Sequence, residues 1–224
     1  MRQSSTEFSQ LLLKAGRGVG LPLGVAEDLI VPVIWLQICG FPGECEVQAA
    51  LAALDEGRTE ARFPDLFNKE EAIPSGRVSA VYLATAACDL LQLDWPEIGE
   101  EVLLPEIESP RLVAASLALS HRLLRRKHFL KIVAPDEVFI SGPGAEIICV
   151  GKEPQHRTPS GRREGVIRLA AEQSGFDGAG TVLIDRVKEE RFFEVCRLKG
   201  LCASPVIIAQ LKAFSDRLLV PESE

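Results

Sequence analysis

The chain has 224 residues, of which 46% are apolar and 25% charged, and a formal net charge of −7 at neutral pH. That length suits one large domain or two small ones, and the apolar fraction excludes general disorder. No apolar run approaches the roughly 18 residues of a membrane helix, no basic segment leads into a hydrophobic signal core, and the acidic balance argues against nucleic-acid binding.

These features read as a cytoplasmic protein with no membrane or nucleic-acid partner. The charge is uneven, however. Residues 1–112 carry 8 Lys and Arg against 18 Asp and Glu, and the remainder carries 17 against 14. An acidic half and a basic half either attract each other within the fold or offer two partner surfaces.

Ser4 and Glu7 have the spacing of a capping box, and Phe8, Leu11, Leu12 and Ala15 recur at helical intervals. The first helix stops among Gly16, Gly18, Gly20 and Gly24. A second is predicted from Leu23 to about Cys39, with Pro22 in its first turn, Glu27 and Asp28 near its positive end, and a kink at Pro32. Gly40-Phe41-Pro42-Gly43 ends it. A third helix spans Glu44 to Glu56, and residues 57–77 form a polar loop broken by Pro64 and Pro74. With Ser75 as a cap, the next helix runs through the apolar stretch that ends at Leu93. A short strand is expected at Val102–Leu104 and a helix over 111–126, ending in the basic HRLLRRK.

Beyond that point the period changes. FLKIV, EVFIS and EIICV are separated by Pro-Asp and Gly-Pro-Gly turns, which predicts a β-meander. A hydrophilic loop covers 151–165. Strands follow at VIRLA and TVLIDRV around a turn at 176–180, with another strand admissible at FFEVCRL and a closing helix from Pro205 to about Leu219. The expected fold class is mixed α+β: a helical N-terminal part (1–95), then a mixed sheet with flanking helices (96–224), as two units or one continuous domain.

No motif names a reaction. The glycine cluster lacks the third glycine of a dinucleotide loop, because Leu21 or Leu23 occupies that position, and it follows a capped helix rather than a strand. It reads as a helix–turn–helix joint. Backbone amides beside Arg17 keep open an anion site there. Asp89 is the only charge between Val78 and Leu91, so a buried carboxylate with Arg77 or Arg17 as partner is expected; ligand binding is the alternative. The loop at 152–165 places His156, Thr158, Ser160, Arg162 and Arg163 together, as a solvated insertion or an anion contact through Arg162.

His121 and His128 fall in the basic helix end, without carboxylate or cysteine at ligand spacing. The six cysteines form no Cys-x-x-Cys pair. They read as buried free thiols, and the Cys39/Cys45 and Cys196/Cys202 spacings are wider than zinc sites prefer. Neither metal nor cofactor is expected.

Lys14-Ala15, Arg17-Gly18-x-Gly20-Leu21, Gly24-x-Ala26-Glu27, Trp35-Leu36 and Gly40 resemble an uncharacterised bacterial family, a domain of unknown function. The closing Val220-Pro221-Glu222-Ser223-Glu224 is similar to that family's C-terminal segment. Such a resemblance confers no activity. The helix–glycine–helix opening is also faintly similar to the malate/L-lactate dehydrogenases that lack a conventional dinucleotide fold. Gly40-Phe41-Pro42-Gly43 stands where those proteins carry Ser-His-Gly, so no catalytic residue transfers.

Three functions follow as expectations. The first is binding of a small anionic metabolite, with Arg17, Asp89 and Arg162 as candidate ligand-binding residues. The second is a structural or interaction protein acting as a homo-oligomer. The third is an oxidoreductase-like metabolic enzyme. Whether the chain is an enzyme at all stays open at this level.

Overall fold

The computed structural model describes residues 1–64, 66, 77–93, 97–99, 101–144, 146–151, 167–172 and 181–219. The strand β1 (Arg2–Gln3) leads into helix α1 (Ser5–Gly18), which opens on the expected capping box. Ser4 Oγ accepts from the Glu7 amide at 3.1 Å, and Glu7 Oε2 accepts from the Ser4 amide at 3.0 Å. Phe8, Leu12 and Ala15 are wholly buried and Leu11 packs half-buried beside them, so the stripe read from spacing is the one the core receives.

The glycine stretch is a joint between helices. α1 ends at Gly18, Gly20 turns with a φ of +91°, and α2 (Leu23–Asp28) follows. A single kinked helix to Cys39 was the expectation. Instead the helix breaks at Leu29, and α3 (Ile30–Ile38) starts afresh. Pro32 has no N–H to offer the Asp28 carbonyl four residues back, and its ring crowds that position. The interruption therefore falls one turn before the proline.

After Gly40, with a φ of +85°, α4 (Gly43–Asp55) begins, followed by α5 (Ala80–Leu93), strand β2 (Glu101–Leu103) and α6 (Pro110–Leu124). Then come β3 (Phe129–Val133), β4 (Glu137–Ser141) and β5 (Ile147–Gly151), the expected meander. With β6 (Arg168–Glu172) and β7 (Thr181–Ile184) they complete a six-stranded sheet of order β2-β6-β3-β4-β5-β7. Every pairing between its strands is antiparallel. The fold is mixed α+β, with a helical N-terminal part.

The segment FFEVCRL is helical. It belongs to α7 (Arg186–Lys199), where Asp185 accepts from the Lys188 amide at 2.8 Å and Arg186 pairs with Glu190 one turn on. Its apolar residues do not alternate in burial. The cap and the charge pairs outweigh the local β propensity.

The chain ends meet. β8 (Leu201–Cys202) pairs antiparallel with β1, and α8 (Pro205–Asp216) lies along α1. A Cβ on Gly18 would stand 1.9 Å from the Phe214 carbonyl oxygen, so only glycine admits this approach. One apolar cluster runs from Phe8 to Phe214 and includes Val33, Leu83, Leu117, Phe139 and Leu169. Helix α6 packs across β3 and β4 and joins the helices to the sheet.

Candidate ligand-binding site

Of the residues singled out in the sequence, Arg17 closes the glycine joint: its Nη1 donates to the Leu21 carbonyl at 2.7 Å. Asp89 is exposed rather than buried. α5 turns Ala87, Leu90 and Leu91 inward and leaves Asp89 on the outer face; burial raises the Asp28 carboxyl above the usual range, and the Asp89 charge adds a smaller push in the same direction. A helix clasped on several sides accumulates a long apolar run without burying every residue in it. No hydrogen bond or ion pair joins Arg17 to Asp89. Arg162, with the rest of the 152–166 loop, lies outside the described residues, as does Ser75.

The basic end of α6 is engaged within the fold. Arg122 forms a two-pronged pair with Glu189 at 2.8 and 2.7 Å, and Trp35 Nε1 donates to the same carboxylate at 2.7 Å. Burial pushes the Glu189 carboxyl up, but the hydrogen bonds from Arg122 and Trp35 outweigh it and hold it below the usual range. Arg126 reaches back to the Leu91 and Gln92 carbonyls at 3.3 and 3.2 Å, closing the C-terminus of α5. His121 is fully buried, and desolvation lowers its imidazole to about 4 against a backbone hydrogen bond at His128.

The six cysteines are free thiols. Burial pushes Cys39 and Cys149 far up, Cys88 to about 12 and Cys45 to about 11, so none of these four is a ready thiolate at neutral pH. Among the described residues no three His, Cys, Asp or Glu side chains gather as a metal site. No described helix is long and apolar enough to cross a membrane.

Two polar constellations flank the entry to α6. The first is buried. Arg111 donates to Glu137 through Nε and Nη2 and to Glu46 Oε1 at 3.0 Å, and its guanidinium lies 5.1 Å from the centre of the Phe41 ring. Desolvation works against the Arg111 charge, but the two carboxylates outweigh it and raise its pKa further. Ser109 Oγ donates to the Glu46 carbonyl at 2.9 Å. Helix α6 is thereby anchored to α4 and β4 at its first turn.

The second is a small cleft, open to solvent and lined by Arg58, Thr59, Arg77, Glu106, Ile107 and Glu108. Three segments build it. α4 ends and Gly57 turns with a φ of +64°, after which the Arg58 and Thr59 amides both donate to the Ala53 carbonyl. The Glu60 amide donates to the Arg77 carbonyl at 2.9 Å, and Glu60 pairs with Val78 in a parallel bridge; this sets Arg58–Thr59 beside Arg77. The opposite wall is the 104–109 segment. The Leu104 amide holds it to the Ile167 carbonyl, and Glu108 Oε1 accepts from the Ala80 amide at 3.2 Å.

Thr59 is 8% exposed and its Oγ1 has no hydrogen-bond partner among the described residues. A buried hydroxyl without a partner costs about 1–3 kcal/mol, which makes it an uncommon feature in a native structure. Arg58 donates through Nε to Glu56, and Arg77 and Glu106 are exposed at the rim. Sequence reasoning missed this site because its residues come from three segments far apart in the chain. The one local signal was the length of the 57–77 loop, since long loops in compact domains are often functional.

Residues 3–82 match the model of a protein family of unknown function (DUF3726). The match is a little over a third of the chain. It contains the glycine joint and the Arg58–Thr59–Arg77 wall, whereas Glu106 and Glu108 lie beyond it. No curated protein matches the chain, so the dehydrogenase likeness rests on the helix–glycine–helix opening alone.

Proposed function

We propose that the protein binds a small anionic metabolite, and that the site is the cleft of Arg58, Thr59 and Arg77. The observation carrying this reading is the Thr59 hydroxyl, buried beside a cleft that Arg58 and Arg77 also line and without a partner among the described residues. A carboxylate or phosphate oxygen entering there would accept from Thr59 Oγ1 and from arginine, and charge-assisted hydrogen bonds of that kind are the strong ones. Free thiols throughout support a reducing compartment such as the cytoplasm.

Calorimetric titration with succinate and with inorganic phosphate at low ionic strength tests the proposal. Saturable one-site binding is expected, weakened about tenfold or more in Arg58→Ala, with the folded state unchanged. Identical binding by wild type and R58A, or none to either probe at millimolar concentration, overturns it.

A further inference from the structure

Helix α7 buries none of its 14 residues, although it carries Val187, Phe193, Val195 and Leu198 as exposed apolar side chains. Its inward edge is Glu189, Phe192 and Cys196. Glu189 takes the Trp35 indole and Arg122, and Phe192 and Cys196 pack half-buried against the core. The opposite edge is Val187, Arg191, Glu194 and Leu198, spaced by four, three and four residues, which aligns them as one stripe along the helix. Val187 is 74% and Leu198 73% exposed, and Val195 flanks them. Within the helix Arg186 pairs with Glu190 and Arg197 with Glu194; Arg191 enters neither pair.

We infer that this stripe is the contact between two copies of the chain, paired antiparallel through α7 about a twofold axis. The stripe is complementary to itself. Centred between Phe192 and Phe193, an antiparallel copy sets Val187 against Leu198 of the second copy and Arg191 against Glu194 of the second copy, and each contact is made twice. On one flank Glu190 faces Arg197 of the second copy. The outer layers of the contact are apolar and the middle layer is a pair of opposite charges. Those charges set orientation and register. A parallel pairing would place Arg191 on Arg191 and Glu194 on Glu194, and a slide of two turns would place Arg191 against Val187 or Glu194 against Leu198. A helix of another protein would have no reason to require this internal symmetry. The surface is that of one short helix, less than a tight dimer needs, so the pair is a weak one that forms at high protein concentration. The cleft at Thr59 takes no part in it.

The test is sedimentation velocity of the full chain from about 10 μM to about 1 mM. The expected result is a sedimentation coefficient that rises with concentration towards that of a dimer, and a Leu198→Glu variant that stays monomeric. Arg191→Glu and Glu194→Arg should each weaken the dimer about tenfold, because each sets like charges across the axis, and the double variant R191E/E194R should return to within about threefold of wild type. All three positions are exposed, and equal urea midpoints would show that the variants fold as the wild type does. Rescue by the charge swap separates a contact between copies from a role within one helix. A monomer at every concentration overturns the pairing and leaves the stripe to a different protein or to a lipid surface. A dimer that survives L198E, or a charge swap no better than its single variants, overturns it as well.

Discussion

Arg111 and Arg58 each stand beside glutamates, yet their surroundings differ. The Arg111 side chain is 8% exposed, with Glu46 and Glu137 on it and the Phe41 ring against it, whereas Arg58 is 24% exposed with Glu56 as its partner at the surface. In the first cluster the guanidinium is held by two carboxylates, and the cluster joins α4, α6 and β4. In the second a buried hydroxyl is left over beside open space. Matching donors to acceptors produces a structural joint, and leaving one unmatched produces a place for a ligand. The same residue types serve both ends, so residue type alone does not tell them apart.

The largest effect that would test this contrast is on stability. Arg111→Met should strand the buried Glu137 carboxylate and destabilise the protein by about 3–5 kcal/mol in urea unfolding. A loss of under 1 kcal/mol would mean that Glu46 and Glu137 find water or protons easily, and the cluster would no longer count as a joint. The equivalent change at Arg58 should stay within about 0.5 kcal/mol, because an exposed ion pair contributes little.

His121 adds a third buried group to the comparison, one whose neutral form is what the fold accommodates. Its folded value near 4 lies below the ordinary value of about 6.5. The unfolded chain therefore binds the proton first. The stability from burying neutral His121 is whole above pH 6.5 and is lost as the pH falls from there towards 4. Comparing urea midpoints of wild type and His121→Gln across pH 7 to 4 should show the wild type losing about 3 kcal/mol more than the variant. Parallel profiles would show that His121 does not govern acid stability.

The smallest effect is the most diagnostic of the cleft. Thr59→Val keeps the shape of the side chain and removes the unpartnered hydroxyl. The unliganded protein should gain about 1 kcal/mol while its affinity for succinate falls. A variant less stable than wild type would show that the hydroxyl has a partner in solution, and the basis for the site would go with it.

Much of the fold was legible because it rests on local chemistry. The Ser4–Glu7 box, the Phe8–Leu12–Ala15 stripe, the glycine joint and the β3–β5 meander all follow from spacing and turn residues within a dozen positions. Helix α7 was misread at FFEVCRL because three of its residues favour strands, while the cap and charge pairs that decide the matter sit at Asp185, Arg186 and Glu190, upstream of the run. Asp89 was expected inside because its neighbours are apolar, but the helix turns it outward. The cleft was hidden for another reason. Thr59 and Glu108 are ordinary loop residues until the Glu60–Val78 bridge and the Leu104–Ile167 hydrogen bond bring their segments together. Nothing within either segment announces the other.

The pairing of β1 with β8, and of α1 with α8, has a consequence on the ribosome. Helix α8 lies along α1, with the Phe214 carbonyl against Gly18, so α1 is among the last helices to find its partner. At ordinary elongation rates that interval is roughly ten to forty seconds. Throughout it the α1 stripe has only the joint and α3 to lean on, and a nascent chain caught in that window is the form a chaperone would meet. Closing so long a loop also places α1–α8 docking late in folding, after the meander and the helix α6 that packs on it.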